Sequence, residues 1–267
     1  MKEKVVIITG ASSGIGEALA RKYAAEGYKL ALAARRYDRL EKLKQELPHS
    51  DVLIVKTDVT RQDDCRNLTD KTLERFGRID ILINNAGLSM RALFEEVELD
   101  VLRRLMDVNF WGTVYCTKYA LPELLKNRGS VVGVISVAGH VGLAGRTGYA
   151  ASKFAVRGFF NTLRIENSKK GLHVLVAAPG FTASEVRLWA LNAKGEAQGE
   201  SPRKENKMMS AQSCADHIFK AVKRRRRELI LTFVQGKLTV LVSKFWPSFP
   251  DWVAYRVMAR EPDSPFK

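Results

Sequence analysis

Cysteine is scarce and scattered: Cys65, Cys116 and Cys214 are three among 267 residues, with no C-x-x-C pair. An odd, widely spaced set argues against a disulfide framework and a thiolate zinc site, and points to a reducing compartment. Histidine is nearly as rare, and His49, His173 and His217 are dispersed, so no metal site is expected. No stretch of about 18 uncharged apolar residues occurs, which excludes an ordinary membrane-spanning helix. The opening MKEKVVIITG passes straight into a short apolar run without a signal-peptide layout, so a cytoplasmic protein with no amino-terminal anchor is expected. There is no internal repeat and no low-complexity linker.

Acidic residues are the minority charge, 29 against 44 Lys and Arg, a formal balance of +15. Such a field attracts anions: nucleotide phosphates, acidic lipid or nucleic acid. At 46% hydrophobic the chain can bury a large core, as one α/β domain.

Short β-branched runs alternate with longer helical patterns. Strands are expected at 4–9, 29–34, 51–57, 79–84, 130–136, 172–178 and 228–233. Most lack apolar/polar alternation, as befits parallel strands covered on both faces. EALARKYAAEG, closed by Gly27, is one of the intervening helices. The pattern predicts a single-domain Rossmann-type doubly wound parallel sheet of about seven strands over 1–235, with a carboxyl-terminal helical extension over 236–267. Residues 181–210, rich in Gly, Ser, Lys and Glu, read as a flexible loop after the sixth strand.

Ligands of such a sheet bind at the carboxyl ends of its strands. There TGASSGIG, residues 9–16, follows the first strand and opens a helix. Gly10 suits the tight turn, Gly14 lets backbone approach a pyrophosphate, and Gly16 allows close helix packing, with the helix amino terminus facing the phosphates. The second strand ends Ala33-Ala34-Arg35-Arg36. Ala34 stands where a carboxylate would hold the ribose hydroxyls of NAD, and Arg35 follows; a guanidinium can bind a 2′-phosphate bidentately. NADP(H) is therefore expected in preference to NAD.

YAASKFAV, 149–156, sets Tyr149 and Lys153 four apart on one helix face. Both groups titrate near pH ~10 when unperturbed; side by side, the cation favours the phenolate and brings the tyrosine towards the working range.

TGASSGIG, Asp58-Val59, NNAG at 84–87, Asn109, Ser136, YAASK and Pro179-Gly180 follow one another as in the short-chain dehydrogenases/reductases, which the chain resembles over roughly residues 4–235. DVNFWGTVYCTKYALPELL, YAASKFAVRGFFNTLRIE and the basic run before ELILTF look similar to the dehydrogenase/reductase member 7B and type 1 11β-hydroxysteroid dehydrogenase group. The resemblance implies a nicotinamide-dependent oxidoreductase acting between a carbonyl and a secondary alcohol. Tyr149 would be the general acid of reduction, and Lys153 would lower its pKa and hold the nicotinamide ribose. Ser136 would hold the substrate oxygen, and Asn109 would anchor a water relaying protons to Lys153. Ser12, Ser13 and Ile15 would complete the glycine turn, with Arg36 beside Arg35. Asp58 and Val59 would line the adenine pocket, and Asn84, Asn85, Ala86 and Gly87 the adenosine side. After Pro179-Gly180 the family carries an aliphatic residue and then a threonine on the carboxamide. This chain has Thr182 and Ser184 at those positions, and which of the two hydroxyls binds stays open. The resemblance also implies a homodimer or homotetramer, with Phe94, Phe110 and Trp111 in core or interface.

Other residues read as structural: Cys116 as packing, His140 as a solvated loop histidine. The intact Ser136, Tyr149 and Lys153 speak against the alternative of a catalytically silent dinucleotide-binding regulator. KRRRR at 223–227 lacks interleaved aromatics and sits at a helix carboxyl terminus, so specific nucleic-acid binding is not expected. VAGHVGLAGRTG after Ser136 is apolar and glycine-rich, which suits a hydrophobic, lipid- or steroid-like carbonyl. Finally, residues 236–260 mix aromatics with Lys237, Lys244, Arg256 and Arg260, and Pro247 and Pro250 should split them into two short helices. These would pack on the core or on a partner subunit, or else lie on an anionic membrane face.

Overall fold

The computed structural model describes residues 3–182, 188–199, 208–259 and 266, apart from the side chains of 235, 257 and 258. Seven parallel strands form one sheet: β1 (Val5–Thr9), β2 (Lys29–Ala34), β3 (Val52–Lys56), β4 (Ile81–Asn84), β5 (Ser130–Val134), β6 (His173–Ala178) and β7 (Glu228–Ile230). Their order is β3-β2-β1-β4-β5-β6-β7. The winding reverses between β1 and β4, and every strand delivers its carboxyl end to the same edge.

Period-two side chains divide the core between the faces. Val6 and Ile8 of β1 meet α1 (Gly14–Ala25), α2 (Tyr37–Gln45) and α7 (Ala211–Lys223). Ile7 points the other way, towards α3 (Gln62–Phe76), α5 (Gly112–Lys126) and α6 (Thr147–Glu166). Gly133 in β5 makes room for that second layer, since a Cβ there would stand 2.0 Å from the Phe160 ring. Cys65 and Cys116 are buried in the same cluster, and packing is the role they show. Under β1 and β4, buried Asp80 accepts from the Val5 amide and pairs with Arg78 at 2.6 Å.

Two strands end at least two residues earlier than their sequence suggests. β5 stops at Val134, because Ser136 turns the chain: its hydroxyl accepts from the Ala138 amide and caps a short helical turn. β7 stops at Ile230, because Thr232 has φ +66°, a left-handed conformation that leaves the strand. His140 is not solvated as expected. Its side chain is 1% exposed, 3.8 Å from the Glu228 carboxylate, and both ring nitrogens lack a hydrogen-bond partner.

The basic run lies around the opposite, amino-terminal edge. Lys223 closes α7, and the Arg225 guanidinium donates to the carbonyls of Arg128 and Gly171. Part of the run therefore pins loops together. Phe94 and Trp111 are 62% and 44% exposed, so neither is core in the single chain.

After Thr232 a helical turn (Phe233–Leu238) leads into α8 (Thr239–Phe245) and α9 (Ser248–Ala259). Pro247 separates the two helices. Pro250 makes no second break, because it lies in the first turn of α9, where its missing N–H costs nothing. Val240 is buried against Val137 and Val141 and anchors this extension.

Candidate active site

A groove of about 510 Å³ opens along the carboxyl-terminal edge where β1 and β4 diverge. Its floor is the turn after β1. Gly10 and Gly14 hold φ of +65° and +57°, and a Cβ on Gly10 would stand 2.8 Å from the Ala86 Cα. A Cβ on Gly16 would meet the Gly10 carbonyl at 2.2 Å, so only glycine lets α1 begin this close to the turn. Ser12, Ser13 and Ile15 line the groove above it.

The end of β4 is stitched to this turn. The Thr9 hydroxyl accepts the amides of Asn85 and Ala86 at 3.0 and 3.1 Å, and the Asn85 carboxamide donates to the Thr9 and Gly10 carbonyls. Thr9 escaped the sequence reading, although its place just before the glycine turn is a usable signal. At the adenosine end, Ala34, Arg35, Arg36, Asp58 and Val59 come together. The Arg36 guanidinium donates to the hydroxyls of Ser12 and Ser13. Asp58 is turned by accepting from the Thr60 amide.

At the other end lie Tyr149 and Lys153, one turn apart on α6. The Lys153 ammonium donates to the Val134 carbonyl at 3.1 Å and sits 5.7 Å from the Tyr149 ring centre. Burial lowers its pKa to about 8. Burial pushes the Tyr149 phenol up, while the neighbouring Ser136 hydroxyl and the Arg146 charge pull it down. Those two groups, not Lys153, oppose burial in this arrangement.

Asn109 stands behind the lysine in a wide helical turn, Asp107–Trp111, between α4 (Leu99–Met106) and α5. Its carboxamide is committed: Oδ1 accepts from the Leu88 amide, and Nδ2 donates to the Leu88 carbonyl and the Ser152 hydroxyl. Gly87 permits this approach, since a Cβ there would lie 3.0 Å from Asn109 Oδ1 and 3.3 Å from Lys153 Nζ. Ser152 was not foreseen; it lies inside the Y-x-x-x-K spacing, where any residue fits the pattern.

Pro179, Gly180 and Thr182 are not among the residues that line this groove. Pro179 accepts from the Val137 amide, and Gly180 gives Thr232 room, a Cβ there being 2.6 Å from its hydroxyl. Thr182 is buried with its hydroxyl donating to the Gly180 carbonyl. Ser184 lies outside the described residues.

One wall comes from part of the expected loop, residues 188–199. Leu191 is hydrogen-bonded on both sides, to the Ser89 carbonyl and from the Arg91 amide, and Arg104 of α4 donates to the Gly195 carbonyl. Trp189 lies over the Arg36 guanidinium at 5.9 Å. Trp189 and Arg104 both line the groove and carried no recognisable motif in the sequence.

The profile of the family described as short chain dehydrogenase matches residues 4–193. A Dictyostelium discoideum protein named dehydrogenase/reductase SDR family protein 7-like is 37% identical over 266 residues, covering 96% of this chain and 82% of that one. The 11-beta-hydroxysteroid dehydrogenase A of Arachis hypogaea is 37% identical over 272 residues, 98% and 77% of the two chains. Among solved structures, an alcohol dehydrogenase from Thermococcus sibiricus complexed with 5-hydroxy-NADP superposes with TM-score 0.75 at 30% identity, covering 86% and 96% of the chains. A short chain dehydrogenase/reductase from Burkholderia phymatum in complex with NAD gives 0.77 at 26%, covering 85% and 88%.

Proposed function

The chain belongs to the short-chain dehydrogenase family of oxidoreductases, and on that premise we propose that it interconverts a carbonyl and a secondary alcohol of a hydrophobic, lipid- or steroid-like substrate with NADP(H). The observation that carries this reading is that Tyr149 and Lys153 line the same groove as the glycine turn. A dinucleotide bound along that groove would lay its pyrophosphate against Gly14, Ile15 and the amino terminus of α1. The cradle fits such a group, because Cβ atoms on Gly10 or Gly16 would collide with backbone.

When bound, the nicotinamide supplies or accepts the hydride. The protein's own residues position the substrate and move a proton. The Ser136 hydroxyl, near Tyr149 and accepting from the Ala138 amide, orients the substrate oxygen towards the phenol. Tyr149 then gives its proton to that oxygen during reduction, or takes it during oxidation. The phenolate left behind is favoured by the Ser136 hydroxyl and the Arg146 charge, while the Lys153 ammonium, held on Val134, would hold the nicotinamide ribose. Asn109 acts by position, since its carboxamide holds Leu88 and the Ser152 hydroxyl and its carbonyl accepts from the Thr113 hydroxyl.

The choice of NADP(H) over NAD is supported by Ala34 and Arg35, both on the groove at the adenosine end. The hydrophobic substrate is supported by the apolar 137–143 segment and by the steroid-dehydrogenase name of a relative. A homodimer or homotetramer is supported by exposed Trp111, stacked on Tyr115 at 5.8 Å. Oxidation of NADPH and NADH against a panel of lipid and steroid ketones tests the reading. Turnover of one of them with NADPH is the expected outcome; turnover only with NADH, or of none, would overturn it.

A further inference from the structure

The carboxyl-terminal helices expose an aromatic face that the body of the protein leaves uncovered. Phe233, Phe245 and Trp246 are 73%, 83% and 62% exposed, and Trp252 and Tyr255 are more than half exposed. Of the extension's residues, Val240 packs on the core, whereas Phe233, Phe245 and Trp246 stand mostly clear of it in the single chain. Phe249, Trp252 and Tyr255 follow at intervals of three residues and so run along one side of α9, and Trp246, in the break before that helix, leads into them. They touch in series, Trp246 to Phe249 at 5.5 Å and Phe249 to Trp252 at 6.2 Å. A stripe of this size is more than the scattered exposed apolar residues of an ordinary surface.

The charges around the stripe indicate what covers it. Lys237 and Lys244 flank it, and the Arg256 guanidinium lies 3.9 Å over the Trp252 ring; Asp251 is the opposing acid within α8 and α9. A second copy meeting this face across a two-fold axis would set three cations against the same three. An anionic surface would instead attract them, aided by the formal charge of +15. Trp and Tyr, with apolar bodies and polar edges, suit the boundary between lipid headgroups and hydrocarbon. Neither helix is long enough to span, and none of the described helices is long and apolar enough to cross a membrane.

We propose that α8 and α9 form an interfacial docking surface that lays the protein on an anionic bilayer through Phe245, Trp246, Phe249 and Trp252, with Lys244 and Arg256 against the headgroups. Val240 packs on Val137 and Val141, which follow Ser136, so the docked face adjoins the segment proposed to receive substrate. The arginine run at 223–227 lies around the opposite edge of the sheet and stays out of this contact.

The test is co-sedimentation of the full chain with vesicles of phosphatidylcholine alone and of phosphatidylcholine mixed with phosphatidylglycerol. Binding should need the anionic lipid, weaken in high salt, and shift tryptophan emission to the blue. Trp246→Ser with Trp252→Ser should abolish it while the far-ultraviolet circular dichroism is kept. Should that double variant misfold, Lys244→Glu serves, and it should lower partitioning roughly tenfold. Arg224→Glu, on the opposite edge, should change partitioning far less. No binding to either vesicle, unchanged binding in the tryptophan variant, or equal losses for Lys244→Glu and Arg224→Glu would each overturn the proposal. So would an oligomer that the tryptophan substitutions dissociate in lipid-free buffer, which would make this face an interface between copies.

Discussion

The Arg36 guanidinium donates to the Ser13 hydroxyl at 2.7 Å, tying the end of β2 to the glycine turn after β1. Arg36 thus supports the shape of the turn, and its neighbour Arg35 lines the groove at the same end. The two arginines should respond differently to removal. Arg35→Ala should weaken NADPH by about 1.5–3 kcal/mol, the worth of a charge-assisted hydrogen bond, and leave NADH nearly unchanged. Arg36→Ala should cost both cofactors. Fluorescence titration of both nucleotides separates the cases, and equal losses for Arg35→Ala would remove it from the 2′-phosphate.

Trp189 over Arg36 makes the 188–199 segment part of the cofactor wall. A cation–π contact at a partly exposed site is worth about 0.5–1 kcal/mol, so Trp189→Ala should speed NADPH release roughly two- to fivefold. Stopped-flow displacement measures this directly. An unchanged release rate would show that the segment does not close on the nucleotide.

The strand pattern, the glycine turn and the Tyr149–Lys153 spacing were legible because each is local. Apolar runs are dictated by burial on both faces, and a helix puts residues four apart on one side whatever surrounds it. What escaped depends on partners distant in sequence. Ser152 meets Asn109 across 43 residues, and Trp189 meets Arg36 from a loop whose own sequence carries no pattern. His140 looked like a loop residue because its burial comes from β7 and α8, about a hundred residues later. The early end of β7 turns on one backbone conformation at Thr232, a residue type that ordinarily favours strands.

His140 gives the fold an acid-sensitive point. Burial, together with Arg157 and Lys244, lowers its pKa from 6.5 to about 4, although the Glu228 carboxylate acts in the opposite direction. A histidine depressed in the folded state binds its proton more readily once unfolded. Its contribution is therefore present above the unfolded value and lost as pH falls from about 6.5 towards 4. Thermal unfolding across that window should show a decline in midpoint that His140→Phe flattens. An identical decline in the variant would place the sensitivity elsewhere.

Gly133 offers a test of the core. A methyl group there would collide with Phe160, so Gly133→Ala should destabilise by about 1–3 kcal/mol, the usual cost of overpacking. Urea unfolding reads the change in midpoint. Gly133→Ala paired with Phe160→Leu should recover part of the loss, which a defect in strand geometry alone would not do.

Proton transfer by Tyr149 is the centre of the proposed chemistry, and Tyr149→Phe keeps the ring while removing the proton. Measured as single-turnover reduction of a ketone that the wild type accepts, the rate should fall at least ~100-fold, the lower end of general acid catalysis, with NADPH affinity nearly unchanged. A Tyr149→Phe protein that reduces the same ketone at a near-normal rate would contradict the assignment.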